Sequence, residues 1–197
     1  MATSDVEICN LALTHLGEDS ITALTENSKA GRLCNLNYVR LRNATLRSHT
    51  WNFAVKRAQL ALSTSTPEYE YAYAFTLPTD YIRIVDTDLL NGSMWKVENG
   101  KILCDSSALK IRYIFEVTDP NSFDEMFIET FSYRIAQQLA ISLSDSVKLS
   151  ETMERQYNRT LRLARNAGAN EGNPEVLDAS SWLNSRVSYT TPYVVDN

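Results

Sequence analysis

The chain has 197 residues, of which 44% are hydrophobic and 22% are charged, and its formal net charge is −5. Six Gly and five Pro are too few for a fibrous or disordered chain, so the composition indicates a globular protein. No apolar run approaches the roughly 20 residues that a membrane helix needs. The N-terminus lacks a signal-peptide pattern, and the unclustered Cys9, Cys34 and Cys104 are typical of buried thiols. We therefore expect a protein that is made and kept in a reducing cytoplasm.

Basic residues are concentrated in one segment of the chain, residues 27–67, which has no Asp or Glu. Seven of the 19 basic residues lie there, which leaves 12 basic against 24 acidic residues elsewhere, a net charge of −12. The seven are Lys29, Arg32, Arg40, Arg42, Arg47, Lys56 and Arg57. Such an asymmetry is typical of a protein that contacts an anion or an acidic partner.

The first helix is predicted from its capping residues. Ser4 and Glu7 have the spacing of a capping box, in which each side chain binds the backbone amide of the other residue. Gly17 is a suitable residue for the end of the helix. Apolar residues at helical spacing predict its buried face: Val6, Cys9, Leu13 and Leu16.

A second helix is predicted for residues 28–48. Its apolar side is expected to consist of Leu33, Leu36 with Asn37, Leu41 and Ala44. Four basic residues share one flank: Lys29, Arg32, Arg40 and Arg47. Such a flank is compatible with a solvated face that pairs with acids elsewhere in the fold. It is also compatible with a docking face for an acidic protein or for DNA phosphate. The helix lacks the interleaved aromatics and amides of a base-reading helix, which argues against sequence-specific DNA binding.

Strand periodicity replaces helical periodicity between residues 51 and 117, which predicts an inserted antiparallel β module. Trp51 and Phe53 lie at this change, where the helical and β layers would have to pack against each other. The predicted strands include 53–62, 69–76, 81–85 and 109–117. Asn99-Gly100 predicts a hairpin with a type I′ turn.

Aromatic residues alternate strictly along the second of these strands, at Tyr69, Tyr71, Tyr73 and Phe75. Such a stripe is compatible with a stacking platform for nucleobases or sugars. It is also typical of a strand that packs onto a second layer, which is the interpretation we favour.

Helical periodicity returns after the turn at Asp119-Pro120. Ser122 and Glu125 have the spacing of a second capping box, and the helix that follows is predicted to reach about residue 143. Its buried face is expected to be Phe123, Phe127, Phe131, Ile135 and Leu139. A fourth helix, rich in charge, is predicted for residues 147–166 and ends at Ala167-Gly168.

After residue 169 neither periodicity is present. The tail nevertheless holds aromatic and β-branched residues, which disordered chains usually lack: Trp182, Leu183, Val187, Tyr189, Tyr193, Val194 and Val195. We expect an arm that orders either against its own body or against a neighbouring subunit. We favour the neighbour slightly, because a compact domain is complete before the arm begins.

These patterns predict an α+β fold, a bundle of about four helices with an inserted antiparallel β module and an extended C-terminal arm. The helical domain would comprise residues 1–50 and 118–168, with the β module at 51–117 and the arm at 169–197. No phosphate-binding loop, zinc-protease motif or nucleophile elbow occurs. Asp86 and Asp88 have the spacing of metal ligands, but they lie in a strand-like context and have no further carboxylates nearby. We therefore expect no enzyme, no metal and no cofactor, and keep an unrecognised hydrolase as a third interpretation.

Five sequence blocks occur in a characteristic order. They are Ile8-Cys9-Asn10-Leu11-Ala12-Leu13 with Leu16-Gly17, Trp51-Asn52-Phe53-Ala54 with Lys56-Arg57, Tyr71-Ala72-Tyr73 through Leu77-Pro78-Thr79-Asp80-Tyr81-Ile82-Arg83, the helix from Phe123 to Leu139, and Ser181-Trp182-Leu183. In this order the blocks resemble the tail tubular protein A family, the head-to-tail adaptors of short-tailed (podovirus) bacteriophages. The resemblance covers nearly the whole chain, and the order of the blocks makes it more specific than any single block.

The resemblance implies a structural virion protein of which about twelve copies form a closed ring through heterologous contacts. The ring would join the capsid portal protein to the tail nozzle protein and help to anchor tail fibres. Genomic DNA would pass through its lumen without sequence specificity, assembly would take place in the host cytoplasm, and no membrane would be involved.

Contacts with a neighbouring subunit or with the portal are expected from the basic flank and from the arm. The candidate residues are Lys29, Arg32, Arg40, Arg47, Trp182, Arg186, Tyr189 and Tyr193. The basic segment and the acidic remainder would give head-to-tail electrostatic complementarity around a ring. The alternative interpretation is a non-specific nucleic-acid-binding module that uses the basic helix 28–48.

Overall fold

The computed structural model describes residues 3–89 and 93–169. Within these ranges, two α-helices precede and two follow a pair of three-stranded antiparallel sheets, which confirms the predicted α+β class. The helices are α1 (Asp5–Leu16), α2 (Lys29–Ser48), α3 (Glu125–Ser144) and α4 (Val147–Ala169). The strands are β1 (Val55–Gln59), β2 (Tyr73–Thr76), β3 (Tyr81–Thr87), β4 (Trp95–Glu98), β5 (Lys101–Cys104) and β6 (Lys110–Phe115).

Helix α3 is the centre of the helical layer, because it packs against each of the other three helices. Its predicted core residues Phe127, Phe131, Ile135 and Leu139 are all buried. Burial of such side chains contributes about 1.5–3 kcal/mol each relative to exposure. The apolar face of α3 therefore holds the other helices together.

Over the described ranges, no helix has the length and apolar character needed to span a membrane.

Local capping determines where the first two helices begin. The Ser4 hydroxyl accepts a hydrogen bond from the Glu7 amide at 3.2 Å, and the Glu7 carboxylate accepts from the Ser4 amide at 2.9 Å, which confirms the predicted capping box. Gly17 ends α1 in the left-handed conformation, with φ of 72°. The Ser28 hydroxyl accepts from the Gly31 amide at 3.0 Å, so α2 also begins at a side-chain cap.

The predicted capping box at Ser122 and Glu125 is wrong. Residues Pro120–Ser122 form a short 3₁₀ turn, and Phe123 is extended, with ψ of 139°. Asp124 is the N-cap residue instead, and its carboxylate accepts a hydrogen bond from the Met126 amide at 2.6 Å. Helix α3 therefore begins at Glu125, because the extended Phe123 separates Ser122 from the first helical turn.

The β module has two layers. The first sheet has the strand order β1-β6-β3 and the second has the order β2-β5-β4. On one side of the first sheet, the register partners Val55 and Ile114 pack into the helical core. On its other side, Ile111 and Tyr113 pack into a second core, which includes Ile102 of the second sheet. The first sheet is therefore the middle layer of the molecule.

The predicted Asn-Gly hairpin is confirmed. Asn99 and Gly100 have φ values of 46° and 70°, the left-handed conformation that both central residues of a type I′ turn require. Strands β4 and β5 pair on either side of the turn, with Glu98 opposite Lys101.

The predicted aromatic strand 69–76 is wrong over its first half. Tyr69 is 81% exposed, Tyr71 is buried, and β2 begins only at Tyr73. Glu70 between the two tyrosines has φ of 72°, so the backbone leaves the extended conformation there and the alternation of faces is lost. The first strand is also shorter than the predicted 53–62, because residues Asn52–Ala54 form a 3₁₀ turn.

The predicted apolar side of α2 is only partly right. Leu36 is 77% exposed, Ala44 is exposed and Leu33 is half-buried. The buried residues of the helix are Gly31, Cys34, Asn37, Tyr38, Leu41, Arg42, Thr45 and Leu46. The helix is therefore rotated relative to the prediction, and four of its buried side chains are polar or carry a hydroxyl group.

Aromatic packing joins the start of the β module to α3, as the position of Trp51 and Phe53 predicts. Both rings contact Phe127, with ring centroids 5.0 and 5.2 Å apart respectively. The Trp51 indole also donates a hydrogen bond to the Thr45 carbonyl of α2 at 3.1 Å. The chain therefore enters β1 from a fixed point in the helical core.

The C-terminal part of α4 extends beyond the predicted residue 166 and includes Ala169. The remainder of the predicted arm, residues 170–197, lies outside the described part of the chain. Its candidate residues Trp182, Arg186, Tyr189 and Tyr193 lie there too.

Candidate interaction surface on α2

The basic flank of α2 is exposed along its whole length. Lys29, Arg32, Arg40 and Arg47 all lie on the solvent side of the helix, as the sequence spacing predicts. Positions 29, 40 and 47 fall within a narrow arc of the helix, with position 32 beside them. The four side chains therefore form one continuous surface.

None of these four side chains forms an ion pair with an acidic residue in the described ranges. Arg32 donates to the Asn27 side-chain oxygen at 2.7 Å, and Arg40 donates to that of Asn37 at 2.8 Å. Arg47 donates to the Ile82 carbonyl, which ties α2 to β3. Neutral acceptors leave the positive charge of this flank uncompensated.

Two other basic residues of the same segment are ion-paired. Arg42, on the opposite side of α2, pairs with Glu116, and Lys56 pairs with Asp80 at 2.8 Å. Although burial opposes ionisation of Asp80, hydrogen bonds from Lys56 and Tyr113 hold the pKa of its carboxyl below the ordinary value. The Glu116 carboxylate also accepts a hydrogen bond from Asn43, which lies between Arg40 and Arg47 on the helix, so this acid lies beside the basic flank without forming an ion pair with its four members.

Two apolar side chains lie among the exposed basic residues. Leu36 is 77% exposed and Val39 is 52% exposed. The prediction that Leu36 lies in the core is therefore wrong, and the apolar pattern gives no position for Val39. Tyr38 is the residue from which the sequence could have indicated the correct orientation of the helix. It lies four residues after Cys34 and three before Leu41, so these three large or apolar side chains share one side of the helix. We call the surface formed by Lys29, Arg32, Leu36, Val39, Arg40 and Arg47 the α2 face.

An acidic surface lies around the N-terminal ends of α1 and α3. These ends are adjacent, because the Thr3 amide donates a hydrogen bond to the Asn121 side chain at 3.0 Å. The surface consists of the exposed Glu7, Asp119, Asp124, Glu125 and Glu129. Residues 3–28 and 117–133 include no Lys or Arg. The described part of the chain thus presents a basic and an acidic surface that do not form ion pairs with each other.

The two histidines are half-buried and Cys9 is fully buried. Burial lowers the pKa of His15, which stacks on Tyr133 with ring centroids 4.2 Å apart, and burial also lowers the pKa of His49. A hydrogen bond with Cys34, together with burial, raises the pKa of the Cys9 thiol. Both histidines are thus neutral packing residues near pH 7, and Cys9 is an unreactive thiol.

Metal-binding clusters of His, Cys, Asp or Glu are missing from residues 3–89 and 93–169. The Asp86 carboxylate contacts Arg112, and the Asp88 carboxylate accepts a hydrogen bond from the Lys110 amide at 2.8 Å. Both carboxylates thus already have partners within the chain.

Comparison with known proteins adds no relative: no protein-family model matches the chain, and a search of curated proteins found no match.

Proposed function

We propose that this chain is the subunit of a head-to-tail adaptor ring of a short-tailed bacteriophage virion, and that it has no enzymatic activity. About twelve copies would close a ring between the capsid portal and the tail nozzle, in a heterologous assembly. Genomic DNA would pass through the lumen during ejection, and tail fibres would be anchored at the ring.

The α2 face is the observation that carries this proposal. Four exposed cations without acidic partners surround two exposed apolar side chains, Leu36 and Val39. Protein interfaces combine apolar contacts with a polar rim, and Leu36 and Val39 among the four cations match that combination. The acidic surface at Glu7, Glu125 and Glu129 offers a complement on the same chain. A basic face on one copy and an acidic face on the next is the pattern that a head-to-tail ring requires.

The ordered sequence blocks support the same proposal from a second direction. The first block lies in α1, the Trp51 block lies at the contact with α3, and the Phe-rich block lies in α3 itself. These blocks supply the helical core and the entry to the β module, so they concern the architecture of an adaptor subunit. The α2 face and the arm would supply its contacts.

A nucleic-acid-binding module is the weaker proposal. Exposed Leu36 and Val39 in the middle of the basic surface offer nothing to a phosphate backbone. The aromatic platform that would stack bases is also missing from the described residues 69–76, because Tyr71 is buried and only Tyr69 is strongly exposed. Docking of an acidic protein surface accounts for both the charge and the apolar groups.

Charge reversal on each surface tests the head-to-tail arrangement. We expect the full chain to form annular particles, alone or with a portal protein, in sedimentation velocity and negative-stain electron microscopy. A Lys29→Glu/Arg40→Glu variant and a Glu125→Lys/Glu129→Lys variant should each weaken assembly by about tenfold or more. In an equimolar mixture, the unchanged α2 face of one variant meets the unchanged acidic surface of the other, so the two variants should associate with each other more strongly than either does with itself.

A matched control reverses two exposed cations outside the α2 face, Lys148 and Arg159 of α4. The Lys148→Glu/Arg159→Glu variant should assemble like the wild type. The proposal is wrong if the full chain stays monomeric both alone and with a portal protein. It is also wrong if assembly is unaffected by the charge reversals. Steeply salt-dependent binding of duplex DNA by a monomer would support the nucleic-acid module instead.

A further inference from the structure

A cleft of about 340 Å³ lies at one end of the first sheet. Its polar lining residues are Arg57, Gln59, Asp86, Thr87, Asp88, Lys110 and Arg112. Every second residue of a strand lies on the same face of the sheet, which places Arg57 and Gln59 of β1 on the face of Val55. The same spacing on β6 places Lys110 and Arg112 on the face of Ile114, the register partner of Val55. Val55 and Ile114 pack into the helical core. The cleft therefore opens on the helix-facing side of the sheet, where the helical layer no longer covers it.

Two arginines face each other across neighbouring strands in this cleft. Arg57 and Arg112 are direct register partners on β1 and β6. Directly opposed side chains on antiparallel strands have Cβ atoms only about 4.5–5.5 Å apart, and like charges in such pairs are destabilising. Lys110 lies one step further along the same face, opposite Gln59. Three cations thus converge on one cleft at a cost to the folded chain.

The acidic residues of the cleft compensate this charge only in part. Asp86 contacts Arg112 at 3.6 Å, longer than a hydrogen bond, and its side chain is 58% exposed. Asp88 is already engaged by the backbone amide of Lys110. Within the described ranges, the Arg57 and Lys110 side chains have no ion-pair partner. The cleft therefore presents the cationic groups of Arg57 and Lys110 without ion-pair partners.

We propose that this cleft binds a phosphate group, held between Arg57 and Arg112 with Lys110 as a third cation. A guanidinium recognises two phosphate oxygens at once, and an ammonium adds a point charge. A terminal phosphate has three free oxygens to share among these three cationic side chains, whereas a carboxylate has only two oxygens. Binding also relieves the repulsion between the two opposed arginines. The ligand class is a phosphate monoester or inorganic phosphate.

This site is separate from the α2 face, since the two surfaces share no residue. The phosphodiester backbone of DNA is the other source of phosphate, but it presents two free oxygens and one charge per group. The cleft suits a protruding terminal phosphate better than a continuous backbone, because its three cations converge on one point of the sheet. Loss of phosphate binding and loss of ring assembly are therefore distinguishable outcomes.

The probes are inorganic phosphate, adenosine monophosphate, citrate and a blunt DNA duplex without terminal phosphates, titrated calorimetrically into the full chain at constant ionic strength. Phosphate and the nucleotide should bind. Arg57→Lys keeps the charge but loses the two-pronged geometry, and Lys110→Met removes one charge. Each should reduce the affinity by about tenfold or more. The control variant Arg159→Lys alters an exposed arginine of α4 and should leave the affinity unchanged.

Thermal melting supplies a second readout that does not need a measurable heat of binding. Phosphate should raise the melting temperature of the wild type more than that of Arg57→Gln. Without phosphate, Arg57→Gln should melt at the same temperature as the wild type or higher, because one of two opposed charges is gone. Absence of phosphate binding by the wild type overturns the proposal. Equal binding of citrate, equal binding of the duplex, or unchanged affinity in Arg57→Lys and Lys110→Met also overturns it.

Discussion

The ion pair between Arg42 of α2 and Glu116, which follows β6, joins the helical layer to the first sheet. The Arg42 side chain is 6% exposed, whereas that of Glu116 is 34% exposed. The Asn43 amide also donates a hydrogen bond to the Glu116 carboxylate at 3.1 Å. Breaking a fully buried pair costs about 3–5 kcal/mol, because one charge is left buried without a partner. The difference in exposure makes the two partners unequal here.

Replacement of Glu116 should cost more than replacement of Arg42. Glu116→Leu leaves the guanidinium of Arg42 buried, and we expect a loss of about 2–3 kcal/mol in the free energy of unfolding, below the fully buried case because water reaches part of the site. Arg42→Met leaves a carboxylate that water and Asn43 still solvate, so about 1–2 kcal/mol should be lost. The double variant should lose less than the sum of the two single variants.

Urea unfolding followed by far-ultraviolet circular dichroism gives the four free energies, provided that the four denaturant slopes agree. Asn35→Gln, at an exposed position of the same helix outside the α2 face, is a control that should change stability by less than about 0.5 kcal/mol. Equal losses for the two single variants, or losses that add fully in the double variant, would refute the reasoning from burial.

Three further predictions concern packing, backbone and pH. Phe127→Ala removes the ring that both Trp51 and Phe53 contact and should cost about 3–5 kcal/mol in urea unfolding; a loss below 1 kcal/mol would contradict the packing described. At Gly17, with φ of 72° and no atom within 4 Å of an added Cβ, Ala should cost about 1 kcal/mol through backbone strain alone, measured in the same way. Burial lowers the pKa of His15 and His49 below 6.5, so the unfolded chain binds protons first. The melting temperature should therefore be constant above pH 6.5 and fall as the pH is lowered from 6.5 through the lowered pKa values. The double variant His15→Gln/His49→Gln should show a smaller fall in melting temperature over that range. The same fall in the variant and the wild type would contradict the prediction.

Features set by local chemistry were predictable from the sequence. The capping box at Ser4, the glycine end at Gly17 and the Asn99-Gly100 turn depend on residues within one or two turns of each other, and all three are confirmed. The phenylalanine face of α3 was predictable because its apolar positions recur at helical spacing without interruption. The same local pattern failed at Ser122, where a 3₁₀ turn competes with the helix start.

Features that depend on tertiary contacts were not predictable in the same way. Thr45 is buried on α2, where its hydroxyl donates to the Leu41 carbonyl one turn earlier, so an apolar pattern cannot identify it. Asn37 is predicted on the buried side and is buried, whereas its apolar neighbour Leu36 is exposed. The basic members of the α2 face were predicted to be exposed, but its apolar members became evident only from the rotation of the helix. Opposition of Arg57 and Arg112 depends on strand register, which the sequence alone leaves open.

The order of elements along the chain has a consequence for biosynthesis. Helices α1 and α2 leave the ribosome long before α3, whose phenylalanines complete their core, and all the paired strands emerge in between. At about 5–20 residues per second, translation from Ser48 to Glu125 takes about 4–15 s. During that interval Leu13, Cys34 and Leu41 lack the surface that covers them in the finished chain. We expect the strands to pair into sheets before α3 is made, and we expect chaperones to bind the exposed apolar faces of α1 and α2.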